Sequence, residues 1–217
     1  MTRVILASGS PRRRELLAEL LDSFAVVPSQ TDEDVEAVTP AATALVLAVM
    51  KALAVAAGDP DAVVVGSDTV VHDGHRYFAK PADPEEAAAM LRSLAGREHS
   101  VVTGVAVVSG GWLVGTTAQA TVRMASMSDA AIALYVASGR PLDKAGAYAI
   151  QDDDVPTVTS LDGCYCGVMG LPLWETWDLL RPLVAGLRQP GTHLVRCRTC
   201  PARARVQQRL PSVESRQ

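Results

Sequence analysis

The sequence predicts an α/β fold with a mixed sheet, on three observations. Continuous β-branched and aliphatic runs alternate with helical stretches that carry their own caps. Two extended segments meet across Ser109-Gly110-Gly111, a hairpin signal, so the sheet is not a regular parallel ladder. The 217 residues are 48% hydrophobic and 20% charged, which suits one packed domain, or at most two small ones, and excludes global disorder. With aromatics at 4%, the core must rest on Val, Leu, Ala and Ile.

Taken in order, Arg3 to Ala7 reads as a buried first strand, broken by Ser8-Gly9-Ser10-Pro11. Ser10 and Pro11 then stand at the N-cap and first position of a helix with a Leu16, Leu17, Leu20, Leu21 stripe. Phe24 to Val27 is a short strand, followed by the acidic run Asp32-Glu33-Asp34. Thr39-Pro40 opens a long Ala/Leu/Val helix that reaches Gly58 and contains Lys51. Ala62 to Val71 is a strand with Ser67-Asp68-Thr69 inside it, and Tyr77 to Ala79 returns from the Asp73-Gly74 turn to Lys80-Pro81. Asp83 and Glu86 have capping-box spacing for a helix ending at Gly96. Ser100 to Val108 and Trp112 to Met124 form the hairpin, and Ser128 caps a helix reaching Gly139. Ala147 to Gln151 and Val155 to Thr159 read as short strands, and Pro172 to Leu187 as a helix bent near Pro182.

The net charge of −4 argues against a protein that coats nucleic acid. It hides a division. Residues 1–187 carry 13 basic and 23 acidic side chains, whereas 188–217 carry seven Arg and one Glu. This divides the chain into a body, 1–187, and a basic extension, 188–217, expected to be solvated and disordered because no aromatics interleave its arginines. Met1-Thr2-Arg3 leads into only four apolar residues, too few for a signal peptide, and Lys51 interrupts the longest apolar stretch. A cytoplasmic protein without membrane contact is expected. Cys197 and Cys200 have zinc-like spacing, but Cys164-x-Cys166 does not complete a zinc pattern, so reduced cysteines are the reading.

Arg12, Arg13 and Arg14 occupy a helix first turn, where the macrodipole favours acidic residues. With Ser8, Ser10 and the helix amides, they point to an anion site suited to phosphate, although a solvated basic patch has the same sequence. Asp68 lies in an apolar strand where an unpaired carboxylate is costly, so a metal, a lysine or a proton-accepting role would explain it. Asp68 and Glu33 could together hold Mg²⁺ or Mn²⁺ through hard oxygen ligands. Lys51 and Lys80 become candidates to neutralise a triphosphate, and Gln151 could read a base edge.

Leu6 to Leu17, with Ser8-Gly9-Ser10-Pro11-Arg12-Arg13-Arg14 at its centre, resembles the opening signature of Maf-family nucleoside triphosphate pyrophosphatases. Lys51-Ala52, Gly66 to Val71, Lys80-Pro81, His99 to Val105, Asp143 to Tyr148 with Gln151, and Gly170 to Leu173 follow in the family's order, covering about residues 3–181. The resemblance implies a single Maf/ITPase-like domain, a twisted mixed sheet flanked by helices around a central cleft. It implies hydrolysis of a nucleoside triphosphate to monophosphate and pyrophosphate with a divalent cation, Asp68 matching the proton acceptor. Arg12, Thr69 and Gln151 resemble the branch acting on dTTP and UTP. The family is associated with keeping non-standard nucleotides out of nucleic acids, with septum arrest in some bacteria, and with homodimers. A nucleotide-binding septum inhibitor without significant catalysis is the alternative. The sequence departs from the family at Arg140, where Glu is usual; at Asp152-Asp153-Asp154, where a Gly-rich turn is usual; and at Cys164 and Cys166, where residues are small or polar.

Overall fold

Apolar strands without polar alternation fit a sheet covered on both faces, and the chain builds one. The structure, a computed structural model, describes residues 2–32, 35, 37–152 and 154–208. Its seven strands are β1 (Val4–Leu6), β2 (Ala25–Val26), β3 (Val63–His72), β4 (Tyr77–Phe78), β5 (Glu98–Ser109), β6 (Trp112–Met124) and β7 (Val158–Gly163). They run in the order β2-β1-β3-β5-β6-β7, with β4 added to β3. β1 is parallel to β2 and β3, and the remaining pairs are antiparallel, so the sheet is mixed.

The period of two along each strand sorts the side chains into two cores. Val4, Leu6, Val63, Val65, Val105 and Val107 pack with Leu16 and Leu17 of α1 (Pro11–Ala18) and with Leu173 and Trp174 of α6 (Leu173–Leu180). Ile5, Val64, Ala106 and Val108 pack on the opposite face against Ala48, Ala52 and Val55 of α2 (Pro40–Ala56). A further cluster joins α3 (Pro84–Leu94) and α4 (Asp129–Ala137) to Val71, Val101 and Val122.

Two glycines set the height of α2 above the sheet. A Cβ on Gly66 would lie 2.2 Å from the Ala48 carbonyl oxygen, and one on Gly104 would lie 2.3 Å from that of Ala44. Only hydrogen lets the helix descend this far. Thr39 caps α2 by accepting a hydrogen bond from the Ala42 amide at 3.1 Å, as its position predicts. Asp83 caps α3 by accepting from the Glu86 amide at 2.7 Å, while Glu86 reaches back to the Ala82 amide.

The sheet also leaves an opening. β1 pairs with β3 through Val63 to Val65, and the Ala7 amide donates to the Val65 carbonyl at 2.8 Å. β4 joins the same edge only at Val71 and His72. Among the described residues no strand lies along Gly66 to Val70 on that side, and there the cleft forms.

Three expectations need correction. Ala147 to Gln151 is not a strand, because Gly146 (φ 74°) and Ala147 (φ 59°) turn the backbone into the left-handed region. Ser10 stands at the N-cap of α1, but its side chain makes no cap bond. The third concerns the tail. Residues 188–208 do not form a solvated extension: Cys197, Cys200, Ala202 and Val206 are buried in the core with Leu173 and Trp174. A short 3-10 turn, Val195–Thr199, and helix α7 (Pro201–Gln208) carry them there, after α5 (Tyr165–Met169) and α6 in chain order. Apolar residues spaced between the arginines supply the docking face; residues 209–217 lie outside the described chain. No described helix is long and apolar enough to cross a membrane.

Candidate active site

The turn after β1 brings Ser8 to the N-terminal end of α1, and α1 turns Arg12 and Arg13 toward the open edge of β3. Across the opening, β3 presents Asp68 and Thr69, and α2 lowers Lys51 onto Asp68. Ser8, Arg12, Arg13, Lys51, Asp68, Thr69, Lys80 and Gln151 all line one cleft of about 600 Å³. Arg14, the third arginine of the run, is exposed and outside it. Glu33, expected to share a cation with Asp68, lies outside the described residues.

Lys51 Nζ is 2.5 Å from Asp68 Oδ1, in a pair buried below the cleft floor. This resolves the oddity of a carboxylate in an apolar strand: a lysine on a helix held down by two glycines answers it. Arg13 is built into the wall. Its Nε donates to the Gly170 carbonyl at 2.9 Å, Nη1 to Ser8 Oγ at 3.3 Å and Nη2 to Thr69 Oγ1 at 3.2 Å. Thr103 Oγ1 donates to the Gly167 carbonyl at 2.7 Å, so the 2.9 Å contact between Thr69 and Thr103 has Thr69 as donor. A directed chain therefore runs from Arg13 through two threonines to a backbone carbonyl. It fixes both the guanidinium and the Thr69 hydroxyl.

Arg12 reaches across to the Asp143 segment. Its Nη1 donates to Asp143 Oδ2 at 2.8 Å, and Asp143 also receives Lys144 Nζ at 2.6 Å. These two cations hold the Asp143 carboxyl below the usual range against a burial cost. Lys80 is exposed on the opposite rim, where the Ala79 carbonyl ties its segment to Gly146 at 3.2 Å. Thr103, Asp143 and Lys144 are contributors that residue-by-residue reading passed over. The signal was present for Asp143 and Lys144, an ion pair beside a glycine turn, whereas a threonine inside a strand carries none.

A family model described as Maf-like protein matches residues 3–183. The chain belongs to the Maf family. A dTTP/UTP pyrophosphatase of Moorella thermoacetica is 48% identical over 183 residues, covering 83% of this chain and 94% of that protein. One from Thermomicrobium roseum is 44% identical over 204 residues, covering 91% and 93%. Among solved structures, the Staphylococcus aureus Ham1 protein aligns at a TM-score of 0.41 and 14% identity, covering 72% of this chain and 91% of that one, too loose a likeness to argue from.

In this Maf chain two of the departures answer each other. Arg140 Nη1 lies 2.6 Å from Asp154 Oδ1 and 3.9 Å from Asp152 Oδ2, while Tyr135 donates its hydroxyl to Asp152 Oδ2 at 2.6 Å. Arg140 thus neutralises Asp152 and Asp154, and these contacts brace the turn that carries Gln151. Asp153 lies outside the described residues.

A divalent cation fits the cleft on the chemistry of its donors. Mg²⁺ and Mn²⁺ take one or two carboxylates plus phosphate oxygens and water. Asp68 and Asp143 are the described carboxylates lining the cleft, each paired with a basic side chain, and Asp68 on β3 lies nearest the sequence pattern for a cation ligand. Among the described residues no three ligating side chains gather round one point.

Proposed function

We propose that this Maf chain hydrolyses dTTP and UTP to the nucleoside monophosphate and pyrophosphate, and so clears the nucleotide pool in the cytoplasm. The observation that carries the reading is the buried Lys51–Asp68 pair, opening at 2.5 Å onto a cleft whose facing wall is built from Arg12 and Arg13. Water attacks the α-phosphorus, the α–β anhydride bond breaks, and pyrophosphate leaves with the bonding electrons. Asp68 takes the proton from the attacking water. Lys51 fixes the direction of that carboxylate. Arg12, Arg13, Lys51 and Lys80 neutralise charge that develops on the leaving pyrophosphate, and Ser8 holds the Arg13 fork in place. Asp68 would hold a divalent cation, which would supply polarisation of the scissile bond.

Gln151 and Thr69, which line the cleft, would read the pyrimidine edge. A homodimer agrees with family membership. Catalysis is tested by supplying dTTP, UTP, CTP and 7-methyl-GTP with Mg²⁺ or Mn²⁺ and measuring pyrophosphate and inorganic phosphate separately. Pyrophosphate from dTTP and UTP is expected, with Asp68→Asn lowering kcat by about 10² to 10⁴. Binding of UTP without release of either product would turn the reading to a nucleotide-binding septum inhibitor. Release of inorganic phosphate alone would make it a phosphatase.

A further inference from the structure

The chain has four cysteines, and the fold buries all of them together. Cys164 and Cys166 come from the junction of β7 and α5, and Cys197 and Cys200 from the docked tail. Cys166 Sγ lies 3.1 Å from Cys197 Sγ. The Cys164 sulfur accepts a hydrogen bond from the Gly167 amide at 3.3 Å and lies within interaction range of the Cys166 and Cys200 thiols. All four thiols therefore sit in one buried cluster, with Cys166 and Cys197 in contact. Trp174 fixes the tail half of the group by donating its Nε1–H to the Cys197 carbonyl at 2.8 Å.

Packing alone accounts poorly for this convergence. The Maf family model covers Cys164 and Cys166 and ends at 183, so the cluster joins the family domain to the segment beyond it. A buried carboxyl stands beside the cluster. Glu175 is 7% exposed, and its Oε2 has no hydrogen-bond partner among the described residues. It lies in electrostatic range of Cys164 and Cys200, while Arg205 reaches only its Oε1, at 3.1 Å. A buried group of thiols beside an unsatisfied carboxyl oxygen is an environment that a cation completes.

We infer that Cys164, Cys166, Cys197 and Cys200 form a tetrathiolate site for one Zn²⁺, which clips the C-terminal segment onto the catalytic body. Soft sulfur donors select zinc over the hard oxygen-seeking cation that suits Asp68. Cys-x-x-Cys is a common zinc pair; the second pair, Cys-x-Cys, is brought to it by the fold. Binding sends the thiol protons to solvent and leaves a complex with negative charge, flanked in sequence by Arg196 and Arg198. Among the described residues the sulfurs do not yet ring one point. The 3.1 Å contact opens to ~3.8 Å, the edge of a ZnS₄ tetrahedron with ~2.3 Å bonds, by rotation of the cysteine side chains.

The test uses full-length protein expressed with zinc in the medium and gel-filtered in buffer free of divalent cations. Elemental analysis is expected to find about one Zn²⁺ per chain, falling to about a tenth of that in Cys197→Ser/Cys200→Ser. Should that variant fail to fold, the wild type decides the matter by itself. After metal removal under reducing conditions, added Co²⁺ is expected to raise thiolate-to-cobalt charge-transfer bands that Zn²⁺ then abolishes. Asp68→Asn is expected to keep its zinc while losing catalysis, which separates this site from the cleft. Reduced wild-type protein that takes up neither zinc nor cobalt would overturn the inference. So would an intact mass lighter by a hydrogen pair than the reduced chain, which would make Cys166 and Cys197 a disulfide.

Discussion

Lys51 and Asp68 are a buried pair before they are anything catalytic, and burying two charges is a poor route to stability. Removing one partner strands the other, so Lys51→Met is expected to cost about 3 kcal/mol or more in urea denaturation and to abolish pyrophosphate release. Lys51→Met/Asp68→Asn is expected to recover most of that stability and none of the activity. A double variant as unstable as the single one would show that the site is held by packing and not by the pair. His99 makes a second residue-scale case. Burial holds its imidazole down to about 4; Nε2 lies 2.7 Å from the Tyr148 hydroxyl, and Nδ1 has no partner among the described residues. The unfolded chain takes a proton at this position near pH 6.5, and the folded one does not until about 4. Stability therefore falls as pH drops through that window, by about 2 kcal/mol at pH 5 from this residue. In His99→Gln the slope of stability against pH between 7 and 5 is expected to flatten. Asp68 announced itself in the sequence because a charge in an apolar strand demands a partner, and Arg12 and Arg13 because they defy the helix dipole. Nothing of that kind marked His99, a polar residue with no charge to explain, or Thr103, whose hydroxyl matters only through what the fold places beside it.

The site's geometry depends at the scale of elements on how closely α2 lies to β3. Gly66 and Gly104 face the helix backbone, not a side chain that could swing aside: their added Cβ atoms would meet carbonyl oxygens at 2.2 Å and 2.3 Å. Gly66→Ala must lift α2, and Lys51 rides on the lifted segment. The expected outcome is a loss of about 1–3 kcal/mol with a larger proportional loss of kcat, since the Lys51–Asp68 contact opens before the helix unfolds. Hydrogen exchange localised to α2 and β3, measured beside turnover, checks the mechanism; an unchanged kcat in folded Gly66→Ala would refute it. Elements with strong local signals were legible. β6 spans Trp112–Met124 as expected, and Thr39, Asp83 and Ser128 cap α2, α3 and α4 as their spacing predicts. The segment from Ala145 to Gln151 was not legible, because Ala147 adopts φ 59° against its own preference. Only the surrounding turn enforces that conformation, and no local pattern encodes it.

At the scale of the whole molecule the division of charge between body and tail becomes a docking arrangement. α1 has no basic residue in its last turn to meet its free carbonyls. Arg188 supplies one from far along the chain, donating to the Glu19 carbonyl at 3.1 Å and to that of Ala18, and pairing with Asp22. Glu19 returns the contact by accepting the Leu194 amide at 3.1 Å. Counting arginines made this segment look solvated, because composition does not reveal that Leu194, Ala202 and Val206 share a face. They pack on the same core as Leu20 and Trp174, so the attachment is apolar first and electrostatic second. Two consequences separate that account from a charge-driven one. Deleting 188–217 is expected to cost on the order of 4 kcal/mol, from lost apolar burial and the orphaned Trp174 indole. Adding 1 M salt, which shortens screening to about 3 Å, is expected to leave the tail's amides protected from exchange. A tail released by salt, or a truncated chain as stable as the whole, would mean that the arginines hold it to the surface and that the core closes without it.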